Sequence, residues 1–323
     1  MKILITGGAG FIGSHLAESW LRDGHSVAVI DDLSTGSLDN LKCIPHQERL
    51  EFVKGSVITS RALPGLVKDA DVIYHLAAAV GVELVVHAPI HTIETNVSGT
   101  ARILKLADKF GGKRIFIAST SEVYGKSASV PFHETDDLII GPSTHSRWSY
   151  ACSKLLDEFL LMAYHNSKDL PGTVTRFFNT VGPRQTGRYG MVIPRFVSAA
   201  LQGKPLRVFG TGEQTRCFCH VADTVRALRM LADCEASFGQ ILNIGSTDRI
   251  TIRQLAETII DQLHSSSKIK LVSYDKAYEA GFEDMLHRAP DCAKIGRICG
   301  WKAELPLDRI ISDVAAQMRA TGI

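Results

Sequence analysis

Three features of the sequence predict an α/β protein with a doubly wound parallel sheet. Six short runs before residue 180 are almost continuously apolar, helix-period segments lie between several of them, and a glycine-rich turn joins the first run to the first helix. Strands that are covered by helices on both faces are apolar at successive positions, and each intervening helix returns the chain for parallel pairing.

The predicted elements alternate along the first half of the chain. Strands are predicted at Ile3–Thr6, Ser26–Ile30, Leu50–Val53, Asp71–His75, Arg114–Ala118 and Thr173–Phe177. Helices are predicted at Phe11–Asp23, Thr92–Phe110 and Tyr150–His165. After about residue 180, turn clusters, short strands and helices at Met191–Leu201 and Ile252–Leu263 predict a smaller mixed α/β region. We divide the chain at 1–180 and 181–323, and we expect the second part to interleave with the first and to cover the cleft at the strand ends.

The composition is that of a globular protein and disfavours several classes of partner. Of the 323 residues 45% are hydrophobic and 22% charged, and the net charge is +2 with no run of Lys or Arg longer than a pair. Nucleic acid and membrane surfaces therefore have no electrostatic support as partners. No stretch reaches the roughly 18 apolar residues that span a bilayer, and the short N-terminal apolar run is typical of a buried strand.

The 7 cysteines are scattered along the chain, which predicts a reducing, cytoplasmic location. Cys217-Phe218-Cys219 would place two thiols on one face of a strand, a pattern that is open to metal binding. No matching His/Cys set lies near these two cysteines. We therefore expect these thiols to pack in a half-buried strand, and we predict no metal site.

The turn after the first predicted strand has the spacing of a dinucleotide-binding site. Glycines at 7, 10 and 13 allow positive φ, close approach of the backbone to a pyrophosphate and tight contact between helix and sheet. Asp31 ends the second strand, where a carboxylate accepts hydrogen bonds from ribose hydroxyls and repels a 2′-phosphate, and Asp32 adds to that repulsion. The sequence predicts NAD rather than NADP. The predicted cofactor-binding residues are Gly7, Gly10, Phe11, Ile12, Gly13, Asp31, Asp32 and, from the next motif, Lys154.

Two Tyr-x-x-x-Lys pairs are candidates for acid/base catalysis, Tyr150/Lys154 and Tyr164/Lys168. This spacing places both side chains on one helix face, and an ammonium beside a phenol lowers its pKa towards neutrality. The segment Ser119-Thr120-Ser121-Glu122 follows a strand, at the sheet edge where ligands bind. Because Tyr150 opens a helix after an intervening loop, we assign catalysis to the first pair and expect Tyr164 to serve helix packing.

Motifs along nearly the whole chain resemble the extended short-chain dehydrogenase/reductases. They are the glycine turn, His75-Leu76-Ala77-Ala78, Ser119–Gly125, Tyr150-Ala151-Cys152-Ser153-Lys154, Phe178–Arg184 and Gln214–Asp223. That family includes UDP-glucose 4-epimerases, dTDP-glucose 4,6-dehydratases and UDP-glucuronate decarboxylases, and its fold is the Rossmann sheet. The resemblance implies oxidation of a nucleotide-sugar C4 with NAD as hydride acceptor and Tyr150 as base. It also implies that Thr120 bonds the C4 oxygen and that Lys154 binds the nicotinamide ribose.

The pair Ser121-Glu122 bears on the step that follows oxidation. Dehydratases of this family carry Asp-Glu there, and a serine cannot replace the Asp as the acid for the departing 6-hydroxyl. UDP-glucuronate decarboxylases carry Ser-Glu, and three further matches point the same way. They are Ile139-Ile140-Gly141-Pro142, Arg147-Trp148-Ser149-Tyr150 and Gly281–Arg288. The resemblance implies that Ser121 and Arg288 orient the carboxylate or enolate, with a diphosphate clamp as the competing role of Arg288, and that Glu122 manages protons near C5.

The predicted anchors of the substrate are arginines and one asparagine. Arg216 matches the family's diphosphate-binding arginine and Asn179 its substrate-binding asparagine, and Arg is suited to bidentate phosphate binding. The segment with Arg184, Arg188 and Arg195 should cover the nucleotide, although each of these arginines by itself is more typical of a surface charge than of a ligand contact. The partner is thus a UDP-sugar. Family members commonly dimerise through helices that correspond to Thr92–Phe110 and Tyr150–His165, so we also predict a homodimer.

Two departures from the family pattern keep alternatives open. Ser56 stands where the family normally has an Asp that reaches the adenine, and the loop Ala79-Val80-Gly81-Val82-Glu83 differs from that of the decarboxylases. A UDP-sugar 4-epimerase, of hexoses or hexuronates, therefore remains the second hypothesis. A non-catalytic NAD-binding regulator is the third, and it is disfavoured because such proteins lose the Tyr/Lys pair.

Overall fold

In the computed structural model, the described residues are 1–79, 88–187, 191–273 and 285–322. Their strands are β1 Lys2–Thr6, β2 Ser26–Asp31, β3 Leu50–Lys54, β4 Val72–His75, β5 Arg114–Thr120, β6 Gly172–Phe177, β7 Thr180–Val181, β8 Leu206–Phe209, β9 Thr215–Cys217, β10 Cys219–His220, β11 Gln240–Ile244, β12 Arg249–Thr251, β13 Ile269–Val272 and β14 His287–Arg288. Their helices are α1 Phe11–Arg22, α2 Asp39–Lys42, α3 Leu63–Asp69, α4 Pro89–Lys109, α5 Arg147–Lys168, α6 Val192–Leu201, α7 Val221–Ala232, α8 Ile252–Gln262, α9 Ala293–Cys299 and α10 Leu307–Ala320. Short 3₁₀ turns cover Gln47–Arg49, Ser121–Tyr124 and Glu235–Ser237.

The main sheet has the order β11-β6-β5-β4-β1-β2-β3 in the described chain, with every neighbouring pair parallel. The predicted fold class is therefore confirmed. The six strands predicted before residue 180 are all present, and β11 comes from beyond that residue. The sheet thus draws on both sides of the proposed division.

Alternate residues of the strands enter two separate cores. On β1, Ile3 and Ile5 pack with the apolar faces of α1 and α7, whereas Leu4 packs with α3, α4 and α5 on the other side. Both faces of the sheet are thereby covered, which explains why the strands are apolar at successive positions.

A third core lies in the C-terminal part of the chain. It is formed by α6, α8 and α10 with apolar residues of β8, including Val197, Leu206, Ile259 and Ile311. Around it lie a parallel pair β8–β13 and a three-stranded sheet β12-β9-β14. No helix among the described residues is both long and apolar enough to cross a lipid bilayer.

The helix predicted at Tyr150–His165 begins earlier, at Arg147, so Tyr150 lies one turn inside α5 instead of opening it. The extra turn is stabilised by Trp148, which is buried. Strand β5 is also longer than predicted and ends at Thr120. These two extensions bring the catalytic candidates of β5 and α5 together at the carboxyl end of the sheet.

Candidate active site

The glycine turn between β1 and α1 lies beside the break in strand order between β1 and β4, where ligands bind in sheets of this type. Gly7 has φ +72°, and a Cβ on it would lie 2.7 Å from the Ala77 nitrogen. A Cβ on Gly13 would lie 2.4 Å from the Gly7 carbonyl oxygen. Neither position tolerates a side chain, which leaves a backbone cradle at the N-terminus of α1. Phe11 and Ile12 form the first turn of this helix and are half-buried.

Asp31 ends β2 and fixes the same cradle. Its carboxylate accepts hydrogen bonds from the Ala9 N–H at 2.9 Å and from the Leu33 N–H at 2.8 Å. Burial raises the pKa of Asp31, and these two hydrogen bonds oppose the rise. Each oxygen keeps a second lone pair for a ribose hydroxyl. Asp32, in contrast, is exposed and accepts from the Ser34 N–H at 2.9 Å, so it shapes the following turn.

Thr120 and Tyr150 meet at the end of β5. The Tyr150 phenol lies close enough to the Thr120 hydroxyl for that hydroxyl to act on its pKa, and the Thr120 hydroxyl accepts a hydrogen bond from the Glu122 N–H at 3.2 Å. Burial raises the pKa of the Tyr150 hydroxyl, the negative charges of Glu122 and Asp157 add to the rise, and the Thr120 hydroxyl opposes it. The lowering of the Tyr150 pKa that we expected from Lys154 is absent here. The physical reason is chiefly the loss of solvent around the phenol, to which the charges of Glu122 and Asp157 add.

Lys154 lies one turn after Tyr150 on α5 and is buried. Its ammonium donates to Asp157 Oδ2 at 2.7 Å. It also lies close enough to His75 to act on that ring. Burial and the Lys154 charge lower the pKa of His75 to about 3, so the imidazole is neutral.

Ser121 and Glu122 follow Thr120 in a 3₁₀ turn and face two arginines. Glu122 Oε1 lies 2.7 Å from Arg288 Nη2, and its Oε2 lies 3.2 Å from Arg147 Nη2. Arg288 Nη1 also donates to the Ser121 hydroxyl at 3.5 Å. We call Arg147, Arg216 and Arg288, together with Ser121 and Glu122, the arginine cluster.

The charges in the arginine cluster decide the state of Glu122. Burial by itself raises the pKa of a carboxyl group. For Glu122 this effect is outweighed by the charges of Arg288 and Arg147 and, more weakly, by that of Arg216, which hold the pKa at about 2. Glu122 is therefore ionised at neutral pH. It can accept a proton or hold a cation, but it cannot donate a proton in this state.

Two neighbouring strands position the arginines of the C-terminal part. Strands β9 and β14 pair in parallel with Arg216 opposite Arg288. Arg216 also donates to the Thr215 carbonyl at 2.9 Å and to the Leu286 carbonyl at 3.3 Å. Asn179, at positive φ, donates from its amide to the Cys217 carbonyl at 2.9 Å, directly after Arg216. Asn179 is thereby fixed next to the arginine cluster.

Arg184 lies elsewhere. Its guanidinium pairs with Glu18 and approaches the Ser14 hydroxyl at 3.4 Å, both on α1. Its backbone N–H donates to the Gln317 side chain on α10. In the described part of the chain it thus joins α1 to α10 and is not brought together with the arginine cluster.

The competing pair Tyr164/Lys168 lies at the far end of α5. Tyr164 packs against the core beneath α3, α4 and α5, and Lys168 is exposed and bonded to Asp108 at 3.1 Å. Cys217 and Cys219 belong to separate strands and are fully buried, which corrects the expected half-buried strand. In the described ranges no group of three or more His, Cys, Asp or Glu side chains could hold a metal ion.

Some predictions fall outside the described residues. They are Arg188, positions 80–83 of the loop that departs from the decarboxylases, and positions 281–284 of the Gly281–Arg288 match. Arg195 is described, and its guanidinium lies over the Phe209 ring at 5.2 Å.

Comparison with known proteins identifies the family. The family model described as GDP-mannose 4,6 dehydratase matches residues 4–314. The chain belongs to this family, the NAD-dependent epimerase/dehydratases of the extended short-chain dehydrogenase/reductase type. The resemblance inferred from the motifs is therefore confirmed.

Two relatives within this epimerase/dehydratase family are decarboxylases. The chain is 45% identical over 302 residues to UDP-N-acetyl-alpha-D-glucosaminuronate decarboxylase of Bacillus cytotoxicus, covering 92% of this chain and 91% of that protein. It is 36% identical over 318 residues to UDP-glucuronic acid decarboxylase 6 of Arabidopsis thaliana, covering 95% and 85%. A solved structure, UDP-glucuronic acid 4-epimerase from Bacillus cereus in complex with UDP-glucuronic acid and NAD, has a TM-score of 0.86 and 26% identity, covering 99% and 100%.

The structure adds residues to which the sequence analysis gave no role. Arg147 joins Glu122 because it lies three residues before Tyr150, on the same side of α5. Asp157 joins Lys154 because it lies three residues after it. The i,i+3 spacing was visible in the sequence, and an acid three residues from a buried catalytic lysine is a signal that could have been used.

Proposed function

We propose that this epimerase/dehydratase oxidises C4 of a UDP-uronate with NAD and then decarboxylates it, with UDP-glucuronate as the predicted substrate. The observation that carries the proposal is the arginine cluster beside the Thr120–Tyr150 pair. Three guanidinium groups act on one carboxylate, that of Glu122, and such a site favours a further anion. A substrate carboxylate at sugar C6 would supply that anion. Both decarboxylase relatives act, by name, on uronates.

The residues for the first step are those at the end of β5 and on α5. Thr120 holds the C4 hydroxyl, and Tyr150 takes the hydroxyl proton as the C4–H bond breaks. Tyr150 acts as a base only in its phenolate form, so the phenol must first lose its own proton to water against the effect of burial and of the nearby carboxylates. Lys154 binds the cofactor ribose and aids Tyr150 by its charge. When bound, NAD accepts the hydride from C4 and later returns it. The cradle at Gly7 and Gly13 and the Asp31 carboxylate fit the pyrophosphate and ribose of that cofactor.

The residues for the second step are those of the arginine cluster. A ketone at C4 makes the C6 carboxylate a β-keto acid, so that the C5–C6 bond can break with release of CO₂ and its electrons form an enolate. Ser121 and Arg288 orient the carboxylate and stabilise the enolate oxygen. Protonation at C5 then restores the ketone, which is reduced as Tyr150 returns its proton to O4.

The state of Glu122 refines its proposed role. Its pKa of about 2 makes it unsuited to donate the C5 proton directly. We assign to it the anchoring of Arg147 and Arg288, and the positioning of water for C5. Arg216 and Asn179 are assigned to the UDP moiety, and Arg184, which contacts α1, has the weaker claim among the substrate residues.

The test is three separate incubations of the purified protein, each with NAD and one sugar nucleotide. The sugar nucleotides are UDP-glucuronate, UDP-N-acetylglucosaminuronate and UDP-glucose, and each reaction is followed by mass spectrometry. Loss of one CO₂ from a uronate supports the proposal. Turnover of UDP-glucose alone would refute the uronate assignment. No turnover of any of them, with NAD bound, would support the non-catalytic regulator.

A 4-epimerase of UDP-uronates is the second candidate, and the likeness to the Bacillus cereus epimerase favours it. Epimerisation needs Thr120, Tyr150 and Lys154 but no loss of CO₂. An unchanged mass with a changed anomeric NMR spectrum would identify it.

A homodimer and a cytoplasmic location belong to the same proposal. Exposed apolar side chains form one stripe on α5, with Cys152, Leu156 and Phe159, and continue on α4 with Ile90 and Ile93. Such a surface on two adjacent helices favours contact with a second copy through four helices. All seven cysteines are free thiols, which suits a reducing compartment.

A further inference from the structure

Behind the Tyr150/Lys154 pair lies a buried ion pair that the proposed reaction does not use. Lys154 Nζ is 2.7 Å from Asp157 Oδ2, and the two side chains are 3% and 0% exposed. The residues are three apart on α5, so the pair belongs to one helix face and needs no other element to form. Isolated buried ammonium groups are strongly unfavourable, and a carboxylate at this distance compensates the charge.

Neutral polar side chains extend from this pair to the centre of the sheet. Burial raises the pKa of Asp157, and the charge of Lys154 and the hydroxyl of Thr100 on α4 oppose the rise. Lys154 is bonded to Asp157 Oδ2, whereas Oδ1 makes no hydrogen bond within the described chain. The Thr100 hydroxyl is 3.1 Å from His75 Nε2, and His75 Nδ1 is 2.7 Å from the Thr6 hydroxyl. Thr6 immediately precedes the glycine turn and accepts from the Ala77 N–H at 3.2 Å. Hydrogen bonds thus join Thr100 to the start of the glycine turn through His75 and Thr6, and Asp157 is bonded to Lys154.

The ion pair restricts where the lysine can point. A Lys side chain has four rotatable bonds and an ammonium with three N–H donors. One donor is directed to Asp157, which fixes the orientation of the other two. A ligand that binds this ammonium therefore meets a charged group already held in place, and the cost of ordering the side chain falls outside the binding step.

We propose that Asp157 is a positioning residue, which holds the Lys154 ammonium in place for the cofactor ribose and does not itself touch cofactor or substrate. This inference rests on the role of Lys154 in the proposed function. It goes beyond that function because it assigns part of the cofactor affinity to a carboxylate outside the cofactor site.

The test is a double-mutant cycle on NADH binding, measured by fluorescence titration without sugar substrate. The proteins are wild type, Lys154→Met, Asp157→Asn and the double variant. We expect each single substitution to weaken NADH binding about tenfold, as for loss of a hydrogen bond from a charged group. The double variant should bind no more weakly than Lys154→Met, because Asp157 acts only through that lysine. Wild-type affinity in Asp157→Asn, or losses that multiply in the double variant, would overturn the proposal.

Asp223→Asn is the matched control. Asp223 is another buried carboxylate, paired at 2.8 Å with Arg226 three residues later on α7. The Asp223→Asn protein loses a similar ion pair that does not contact Lys154. Its free energy of unfolding should therefore fall while its affinity for NADH stays unchanged. A loss of affinity equal to that of Asp157→Asn would show a general effect of destabilisation and would overturn the proposal.

If Asp157→Asn does not fold, the proposal can be tested with a second variant. Asp157→Glu retains both charges and moves the carboxylate by one methylene group. We expect NADH binding about threefold weaker in the wild-type background and unchanged in the Lys154→Met background. Wild-type affinity in Asp157→Glu, or a loss by the same factor in both backgrounds, would contradict the inference. Because none of these titrations requires a sugar, failure to turn over UDP-glucuronate would leave this result readable and would count against the proposed function alone.

Discussion

The carboxyl of Glu122 and the phenol of Tyr150 are both half-buried beside Thr120, yet neighbouring charges act on them in opposite ways. Burial disfavours the charged form of each. Cations, chiefly that of Arg288, reverse this for Glu122, whereas the carboxylates of Glu122 and Asp157 reinforce it for Tyr150. At neutral pH Glu122 is therefore ionised and Tyr150 is protonated. The motifs predicted that both residues belong to the active site. They did not predict the charge state of Glu122, because Arg288 comes from a distant segment.

Replacement of Tyr150 by Phe tests the assignment of the acid/base residue. The variant keeps the ring and loses only the hydroxyl, so turnover should fall about 10²- to 10⁴-fold, the usual contribution of a positioned acid/base. NADH binding should stay close to that of the wild type, because Lys154 and the glycine cradle are unchanged. The measurements are kcat and an NADH titration.

Tyr164→Phe is the control, since that hydroxyl lies at the far end of the same helix. It should leave kcat near its original value. A Tyr150→Phe enzyme with near-normal rates, or a Tyr164→Phe enzyme that loses activity, would reverse the choice between the two pairs.

At the scale of elements, helix α5 has two distinct tasks on opposite faces. Its buried face carries Lys154 and Glu158 towards the sheet, and Glu158 accepts two hydrogen bonds from Arg176 of β6 at 3.0 and 2.7 Å. Its outer face exposes Leu156 and Phe159, which are 53% and 66% accessible. Helical periodicity predicted the helix. Because apolar residues lie on both of its faces, the periodicity did not show which face is directed towards the active site.

Phe159→Glu tests the proposed dimer contact of α4 and α5. A carboxylate in the middle of an apolar interface would have to be buried without a partner, so the dimer should dissociate. Light scattering after gel filtration should give the mass of one chain for the variant and of two for the wild type.

Leu271→Glu is the matched control, because Leu271 is 52% exposed on β13, away from both helices. It should leave the mass unchanged. A Phe159→Glu protein that remains dimeric would exclude this surface as the interface.

At the scale of the whole molecule, local patterns predicted more of the fold than of its assembly. Apolar runs placed the six strands before residue 180 to within about two residues, since a strand buried on both faces has an unmistakable composition. The seventh strand of the main sheet, Gln240–Ile244, was not predicted. Its place in that sheet could not be inferred from local patterns, because its neighbour β6 lies far back in sequence. The sequence likewise predicted roles for individual residues of the arginine cluster but not that they lie together, because they come from distant segments of the chain. Arg184 is an example: its motif predicted a contact with the substrate, but its observed contacts are with α1 and α10.

The stability of the molecule should depend on pH through His75. Its pKa is lowered from 6.5 to about 3 by burial and by Lys154. Below pH 6.5 the unfolded chain takes up a proton that the folded protein excludes, so stability is lost as the pH falls from 6.5 towards 3. This residue alone should lower the free energy of unfolding by about 2 kcal/mol between about pH 7 and about pH 5.

Urea unfolding of the wild type and of His75→Gln at both pH values measures this contribution. The variant should show a loss on acidification that is smaller by that amount, while the exposed His46→Gln control should match the wild type. An identical pH dependence in His75→Gln would show that His75 is protonated in the folded protein.

The central claim, oxidation at C4 followed by loss of CO₂, is tested most directly with UDP-glucuronate that carries deuterium at C4. The protein loaded with NAD should give a UDP-pentose that is lighter by one CO₂ and retains the deuterium at C4, because the hydride that leaves C4 returns to it. A product of unchanged mass would contradict decarboxylation. A decarboxylated pentose without deuterium at C4 would contradict the return of the hydride.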